Sequence, residues 1–281
     1  MWTRKLARSS GKCYLYNAST GESKWPCHAV YNTIPRPVSD TSCGQEIRSE
    51  NNQWKREMIS RYVKPGDHVV DLACCRGGDL HKFMHAGAGS YVGVDISPVC
   101  VKEAETRAEQ MPPTSGMSTR LVVCDLALER IPCMDRSIDV VSCQFALHYL
   151  ANKHAHMMNM LSEIARVLKN NGYFIFTVPD HIQIRSILAG EQQPPSCMHI
   201  ENGPGGVPGS DSTLAQYPWG HGYFFEFRGR TPRCEEYVVF PPTLEDMARG
   251  VGLHLVRRAG AVGIYTGWVY CVGKGPPTTN P

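Results

Sequence analysis

The chain is expected to fold as an α/β protein around a mostly parallel sheet covered on both faces, with a small β appendage at its amino terminus. Three observations carry this expectation. Strand-like apolar runs at 68 to 71, 91 to 95, 121 to 124, 138 to 143 and 173 to 178 alternate with helix-like stretches. The first run, Val69-Val70-Asp71-Leu72, ends in an acid and then breaks into a glycine turn, Arg76-Gly77-Gly78-Asp79, that leads into a helix-like segment. The next, Tyr91-Val92-Gly93-Val94-Asp95, closes on a second acid one helix later. A second strand ending in an acid is how an α/β nucleoside site grips two ribose hydroxyls.

Taken in order, the chain opens with a short β module and tether over 1–37, which ends in the proline-punctuated run Ile34-Pro35-Arg36-Pro37. The main domain occupies 38–281. Glu46 to Tyr62 reads as a helix ahead of the first parallel strand. Met157, Leu161, Ile164, Ala165 and Leu168 recur at helical spacing, and Lys169-Asn170-Asn171-Gly172 reads as a basic last turn with a glycine stop. From 190 to 218 the sequence turns rich in proline, glycine and serine and loses periodicity, so a loop insertion is expected. It precedes a β-type region holding Tyr223–Phe227 and Glu236–Phe240. No internal repeat is visible.

At 281 residues and 42% hydrophobic content, the chain has material for one large core plus a small appendage. A net charge of +3 argues against coating a long nucleic acid and permits a local basic groove. No apolar run approaches the roughly 20 residues of a bilayer span, and the first residues show no apolar signal core, so an intracellular protein without a membrane segment is expected. The 12 cysteines include no CxxC pair and read as reduced thiols. Cys27, His28 and Cys43 lack the spacing of structural zinc, and no metal is expected.

The ends of successive strands supply Asp71, Asp95, Cys124-Asp125 and Cys143-Gln144 to one edge of the sheet, which together form a crevice. The turn lacks the three-glycine spacing of dinucleotide sites. A sulfonium cofactor has no pyrophosphate needing a row of amides, so S-adenosylmethionine fits better than NAD. Asp95 would accept ribose hydroxyls and Asp125 would lie beside the adenine amino group. The expected fold is then that of a Rossmann-like, class I S-adenosylmethionine-dependent methyltransferase.

Three elements occur in order: Arg48-x-x-Asn51-Asn52-x-x-Lys55, Asp71-Leu72-x-Cys74-x-Arg76-Gly77-Gly78-Asp79-Leu80, and Cys143-Gln144-Phe145-x-x-His148-Tyr149. With them the chain resembles messenger-RNA cap guanine-N7 methyltransferases over about residues 46 to 272. The resemblance implies that Lys55 meets the cofactor carboxylate, with Asp71, Ala73, Asp95, Asp125, Gln144 and Tyr149 completing the cofactor site. It implies that Asn51, Asn52, Arg76, Lys82, Arg107, His148 and Glu236 face the cap, with a late tyrosine, Tyr265 or Tyr270, beside them. No residue is expected to act as a catalytic acid or base. Where the family usually shows Gly-Cys-Gly-Lys-Gly-Gly, this chain has Ala73-Cys74-Cys75-Arg76-Gly77-Gly78. Cys75 therefore stands where a residue tolerant of positive φ is usual, while Arg76 keeps a cation for phosphate.

Gly11 to Pro26, with Trp2, resembles a WW domain, although Leu15 replaces a usual aromatic and Pro26 follows Trp25 directly. The resemblance implies that Tyr14 and Trp25 form a groove for a proline-rich peptide, such as a polymerase tail, already stiffened in the polyproline conformation. The cap resemblance implies a monomeric nuclear enzyme acting on 5′-capped RNA. The rival readings are a small-metabolite methyltransferase on the same sheet and a non-catalytic scaffold.

Overall fold

The structure is a computed structural model that describes residues 42–273 apart from 113–115 and 204, together with the backbone of three strands near the amino terminus. Those strands, β1 (Trp2–Leu6), β2 (Cys13–Asn17) and β3 (Ser23–Lys24), pair antiparallel in that order. Tyr14 lies on β2, opposite Lys5 in the register. Trp25, Cys27 and His28 lie outside the described residues.

The main sheet is built from β4 (His68–Leu72), β5 (Ser90–Asp95), β6 (Ser118–Val123), β7 (Ile138–Gln144), β8 (Leu168–Pro179), β12 (Leu253–Val262) and β13 (Tyr265–Val272). Its order is β12-β13-β8-β7-β4-β5-β6, with β8 through β6 parallel and β12 and β13 antiparallel. The chain leaves β4 towards one edge through β5 and β6, then returns to the other side of β4 with β7. Between β4 and β7 the strand order reverses, and the connections leaving the carboxyl ends there diverge and open a crevice.

Alternation along the strands sends side chains to two cores. On one face Phe174, Phe176 and Trp268 pack with Leu161 and Ile164 of α4 (His154–Val167) and Leu244 of α7 (Pro241–Gly250). On the other Val69, Val140, Ile175 and Val269 meet Met58 and Ile59 of α1 (Ser42–Tyr62), and Leu80 and Phe83 of α2 (Leu80–His85). α3 (Pro98–Glu109) follows β5 and is capped by Ser97, whose side chain accepts from the Cys100 N–H. No described helix is long and apolar enough to cross a membrane.

Two expectations are corrected. Lys169-Asn170-Asn171-Gly172 does not close a helix: α4 ends at Val167, and β8 begins at once with Leu168 at ψ 136°. These residues form a bulge, since Ile138 pairs with Leu168 but Val140 pairs with Tyr173. Asn171 takes φ 63°, and a Cβ on Gly172 would come within 3.0 Å of the Asp139 carbonyl oxygen. Lys169 pairs with the Asp139 carboxylate at 2.7 Å and ties the bulge to β7.

The 190–218 stretch is likewise more than a loop. It contains β9 (Met198–Asn202) and α6 (Asp211–Gln216). β9 joins β10 (Gly222–Phe227) and β11 (Thr231–Tyr237) in an antiparallel sheet of order β11-β10-β9. That sheet and α5 (His181–Leu188) bury Ile184, Ile200, Leu214 and Phe225 in a core of their own. β12 and β13 extend the parallel sheet beyond the five strands read from the sequence.

Candidate active site

The turn after β4 places two non-glycine residues, Ala73 at φ 55° and Cys75 at φ 48°, in the left-handed region, which side chains other than glycine visit at a cost. Asp95 anchors the turn at Cys75: its Oδ2 accepts the Cys75 N–H at 2.8 Å while its Oδ1 accepts the Ser97 N–H at 2.8 Å. One carboxylate thus joins the ends of β4 and β5. Phe145, just past β7, is a third such residue at φ 57°, fixed by its N–H to the Thr177 carbonyl at 3.0 Å.

Ala73, Cys75 and Phe145 all line a cavity of about 290 Å³ over the carboxyl ends of these strands. Asp95 and Asp125 line it as well, and Asp125 is itself held by accepting the Ala127 N–H at 3.0 Å. The Gln144 amide is committed on both sides, donating to Ser142 Oγ at 3.2 Å and accepting from Thr177 Oγ1 at 2.8 Å, so it forms a fixed wall. Leu126, Leu128 and Met160 make the opposite lining apolar. Anchored carboxylates near apolar walls suit a nucleoside with vicinal hydroxyls and a flat base, and the residues present fit S-adenosylmethionine.

Of the sequence-derived cofactor residues, Ala73, Asp95, Asp125, Gln144 and Tyr149 line this cavity, while Lys55 and Asp71 do not. Lys55 lies beside it, its ammonium 5.6 Å from the Phe145 ring and 2.8 Å from Asp79. Asp79 also takes Lys82 at 2.6 Å. Burial alone would raise the Asp79 carboxyl, but the two ammonium groups override it and hold the group below its usual range. Asp71 lies beneath, fully enclosed, accepting the Tyr91 hydroxyl at 2.9 Å. Burial first and the Asp79 charge second push it up to about 7.

The three cations expected to face the cap gather on the same turn. Lys82 donates to the Gly78 carbonyl at 3.2 Å, Arg107 donates to the Gly77 carbonyl at 3.2 Å, and Arg76 lies 3.5 Å from Glu103. Asn51 and Asn52 are half-buried on α1, one turn before Lys55.

A second group stands on the 3₁₀ turn Leu147–Leu150 and on β10 and β11. Glu236 is 4% exposed, and each of its oxygens takes one phenol: Tyr149 donates to Oε1 at 3.0 Å and Tyr223 to Oε2 at 2.9 Å. His148, 2% exposed, lies with Nε2 3.3 Å from Oε1. That contact is off the hydrogen-bond direction, and neither ring nitrogen has a hydrogen-bond partner among the described residues. A buried imidazole left this way is one that a polar ligand could satisfy.

Tyr265, not Tyr270, belongs to this group. Its ring meets Phe145 edge-on at 4.7 Å, and burial together with the Glu236 charge holds its hydroxyl well above the usual phenol range. Tyr270 packs in the opposite core against Phe176. The sequence reading did not single out Tyr223 or the hub role of Asp79. Tyr223 carried no signal beyond its aromatic run, because it meets Glu236 only through the β10–β11 register.

A model of the mRNA (guanine-N(7))-methyltransferase domain matches residues 32–269. The chain belongs to the mRNA cap guanine-N7 methyltransferase family. It is similar to the mRNA cap guanine-N(7) methyltransferase of Saccharomyces cerevisiae, at 32% identity over 76% of this chain and 52% of the yeast protein. The Drosophila melanogaster mRNA cap guanine-N(7) methyltransferase is 30% identical over 76% of this chain and 54% of its own length. The chain therefore spans about half the length of these relatives. Among solved structures, a Pyrococcus horikoshii protein aligns with TM-score 0.60 at 21% identity, covering 86% of this chain and 98% of the other. An S-adenosylmethionine-dependent methyltransferase from Mesorhizobium loti aligns with TM-score 0.52 at 14% identity, covering 80% and 99%. These last two are likenesses of fold, and they agree with the seven-stranded sheet. The methyl donor of this cap guanine-N7 methyltransferase family is S-adenosylmethionine.

Proposed function

We propose that the chain transfers a methyl group from S-adenosylmethionine to N7 of the guanine in the 5′ GpppN cap of mRNA, by in-line displacement and without a general base. The observation that carries this reading is Tyr149. It lines the nucleoside-sized cavity, and its hydroxyl is bonded to Glu236, so the cofactor cavity and the acid pocket share a wall.

S-adenosylmethionine, when bound, supplies a sulfonium-activated methyl group. Asp95 would accept its ribose hydroxyls, Asp125 its adenine amino group and Lys55 its carboxylate, with Ala73, Gln144 and Tyr149 as walls and Asp71 beneath the turn. Guanine N7 carries an in-plane lone pair that is unprotonated near neutral pH, so the protein's part is alignment. Well-oriented groups gain up to roughly 7 to 11 kcal/mol from proximity alone. Methylation leaves positive charge on the purine ring, and a carboxylate already oriented beside the base, Glu236, favours that charge without reorganising. Arg76, Lys82 and Arg107 would meet the triphosphate, with Asn51, Asn52 and His148 closing around the guanosine.

The test is incubation with labelled S-adenosylmethionine and GpppRNA, with GTP, uncapped RNA and N7-methylated cap in parallel. Transfer confined to the unmethylated cap supports the reading, and cofactor binding without transfer to any cap refutes it. The same reading has the protein act as a monomer in the nucleus. It also has the amino-terminal module bind a proline-rich peptide through Tyr14 and Trp25, and an unchanged tryptophan fluorescence on titration with such peptides would remove that last part.

A further inference from the structure

Tyr223 has no access to a ligand. It is 0% exposed, on β10, directly across the ladder from Glu236, and its hydroxyl ends on Glu236 Oε2 at 2.9 Å. Tyr149 reaches the other oxygen from the 3₁₀ turn. Two donors from separate elements, one on each oxygen, leave the carboxylate a single orientation about its last bond. A carboxylate offers about four acceptor sites, and fixing its plane decides where the sites not taken by the two phenols point. Guanine presents two N–H donors side by side, N1–H and the exocyclic amine, and only a carboxylate in the right plane accepts both.

We infer that Tyr223 is a positioning residue which, through Glu236, sets the preference of the site for guanine over a purine lacking the exocyclic amine. The inference rests on the proposed cap-methylating function. Removing the Tyr223 hydroxyl would leave Oε2 buried without its donor and free the carboxylate to turn. Recognition of the paired donors would then weaken, while the cofactor cavity, which Tyr223 does not line, would be untouched.

The experiment compares kcat/KM for guanosine-capped and inosine-capped RNA in the intact protein, in Tyr223→Phe, in Glu236→Gln and in the double variant, alongside S-adenosylmethionine binding and the melting temperature. Any intrinsic difference between the two purines cancels when their ratio is compared across variants. The expected result for Tyr223→Phe is cofactor affinity within about 2-fold of the parent and a fall of about 10-fold in kcat/KM on the guanosine cap. The fall on inosine is smaller, so the ratio contracts, and it contracts no further when Tyr223→Phe is added to Glu236→Gln. An unchanged ratio, or an equal further loss in the Glu236→Gln background, makes Tyr223 a core residue and overturns the inference. Should Tyr223→Phe not fold, 3-fluorotyrosine at 223 nearly keeps the shape and makes the hydroxyl a stronger donor: a shifted ratio supports the inference and an unshifted one overturns it. If the intact protein transfers nothing to a guanosine cap, the functional reading itself falls and this inference with it.

Discussion

Asp71 sits at the end of β4 with no cation in contact, and its proton becomes a stability term. Unfolded, its carboxyl titrates near 3.8; folded, it is pushed up to about 7. Between those values the folded state keeps a proton that the unfolded chain has lost, so this contribution is full below about pH 4 and is lost as pH rises through about 7. Three units correspond to about 4 kcal/mol at most. Asp71→Asn, which cannot ionise, should show a flatter pH dependence and gain on the parent towards pH 8, measured by urea unfolding at pH 4, 5.5 and 8. At Cys75, relief of the φ 48° strain in Cys75→Gly is opposed by the extra chain entropy of glycine and the lost 3.7 Å contact with Cys100, so stability should change by less than about 1 kcal/mol, and a large drop in melting temperature would contradict it. Glu236→Ala should reduce kcat/KM for capped RNA by 100-fold or more, on the order of an oxyanion-hole deletion, with cofactor binding kept. Unchanged kinetics would remove Glu236 from the site. Asp95, Asp125 and Gln144 were legible as site residues because a strand end fixes which edge of the sheet they reach. Tyr223 was not, since its role exists only across a ladder.

At the scale of elements, α1 matters because it carries Asn51, Asn52 and Lys55 over the sheet. Its seat is Gly267 on β13, where a Cβ would stand 2.6 Å from both the Trp54 ring and the Met58 terminal methyl. Gly267→Ala should therefore lift α1, costing about 1 to 3 kcal/mol as overpacking does. It should also weaken cofactor and cap together, read by melting temperature and by binding of each ligand. An effect on neither would mean that α1 tolerates the shift. β9 shows why composition misled at this scale: Met198 and Ile200 are buried while His199 between them is exposed, a period of two hidden among prolines and glycines. The bulge at Lys169–Gly172 misled for the opposite reason, since a basic run followed by glycine also reads as a helix end.

For the whole molecule, the reversal of strand order beside β4 brings the turn, Asp95, Asp125 and Gln144 to one crevice. On the proposed function, the net charge of +3 limits how RNA would be held. If Arg76, Lys82 and Arg107 are the main phosphate contacts, log(1/KM) for capped RNA should fall with log salt at a slope of about −2, from about 0.7 per phosphate neutralised on a single strand. A slope steeper than about −5 would call for an extended RNA path. The sequence by itself determined the parallel αβ alternation, the acids at the strand ends and the motifs of the cap family, because each is written in neighbouring residues or in a fixed strand or helix period. Only the tertiary structure decided that Lys55 and Lys82 share Asp79, that Tyr265 rather than Tyr270 stands by Glu236, and that the 190–218 stretch supplies an edge strand. Those outcomes depend on which distant segments pack face to face, and no local pattern encodes that.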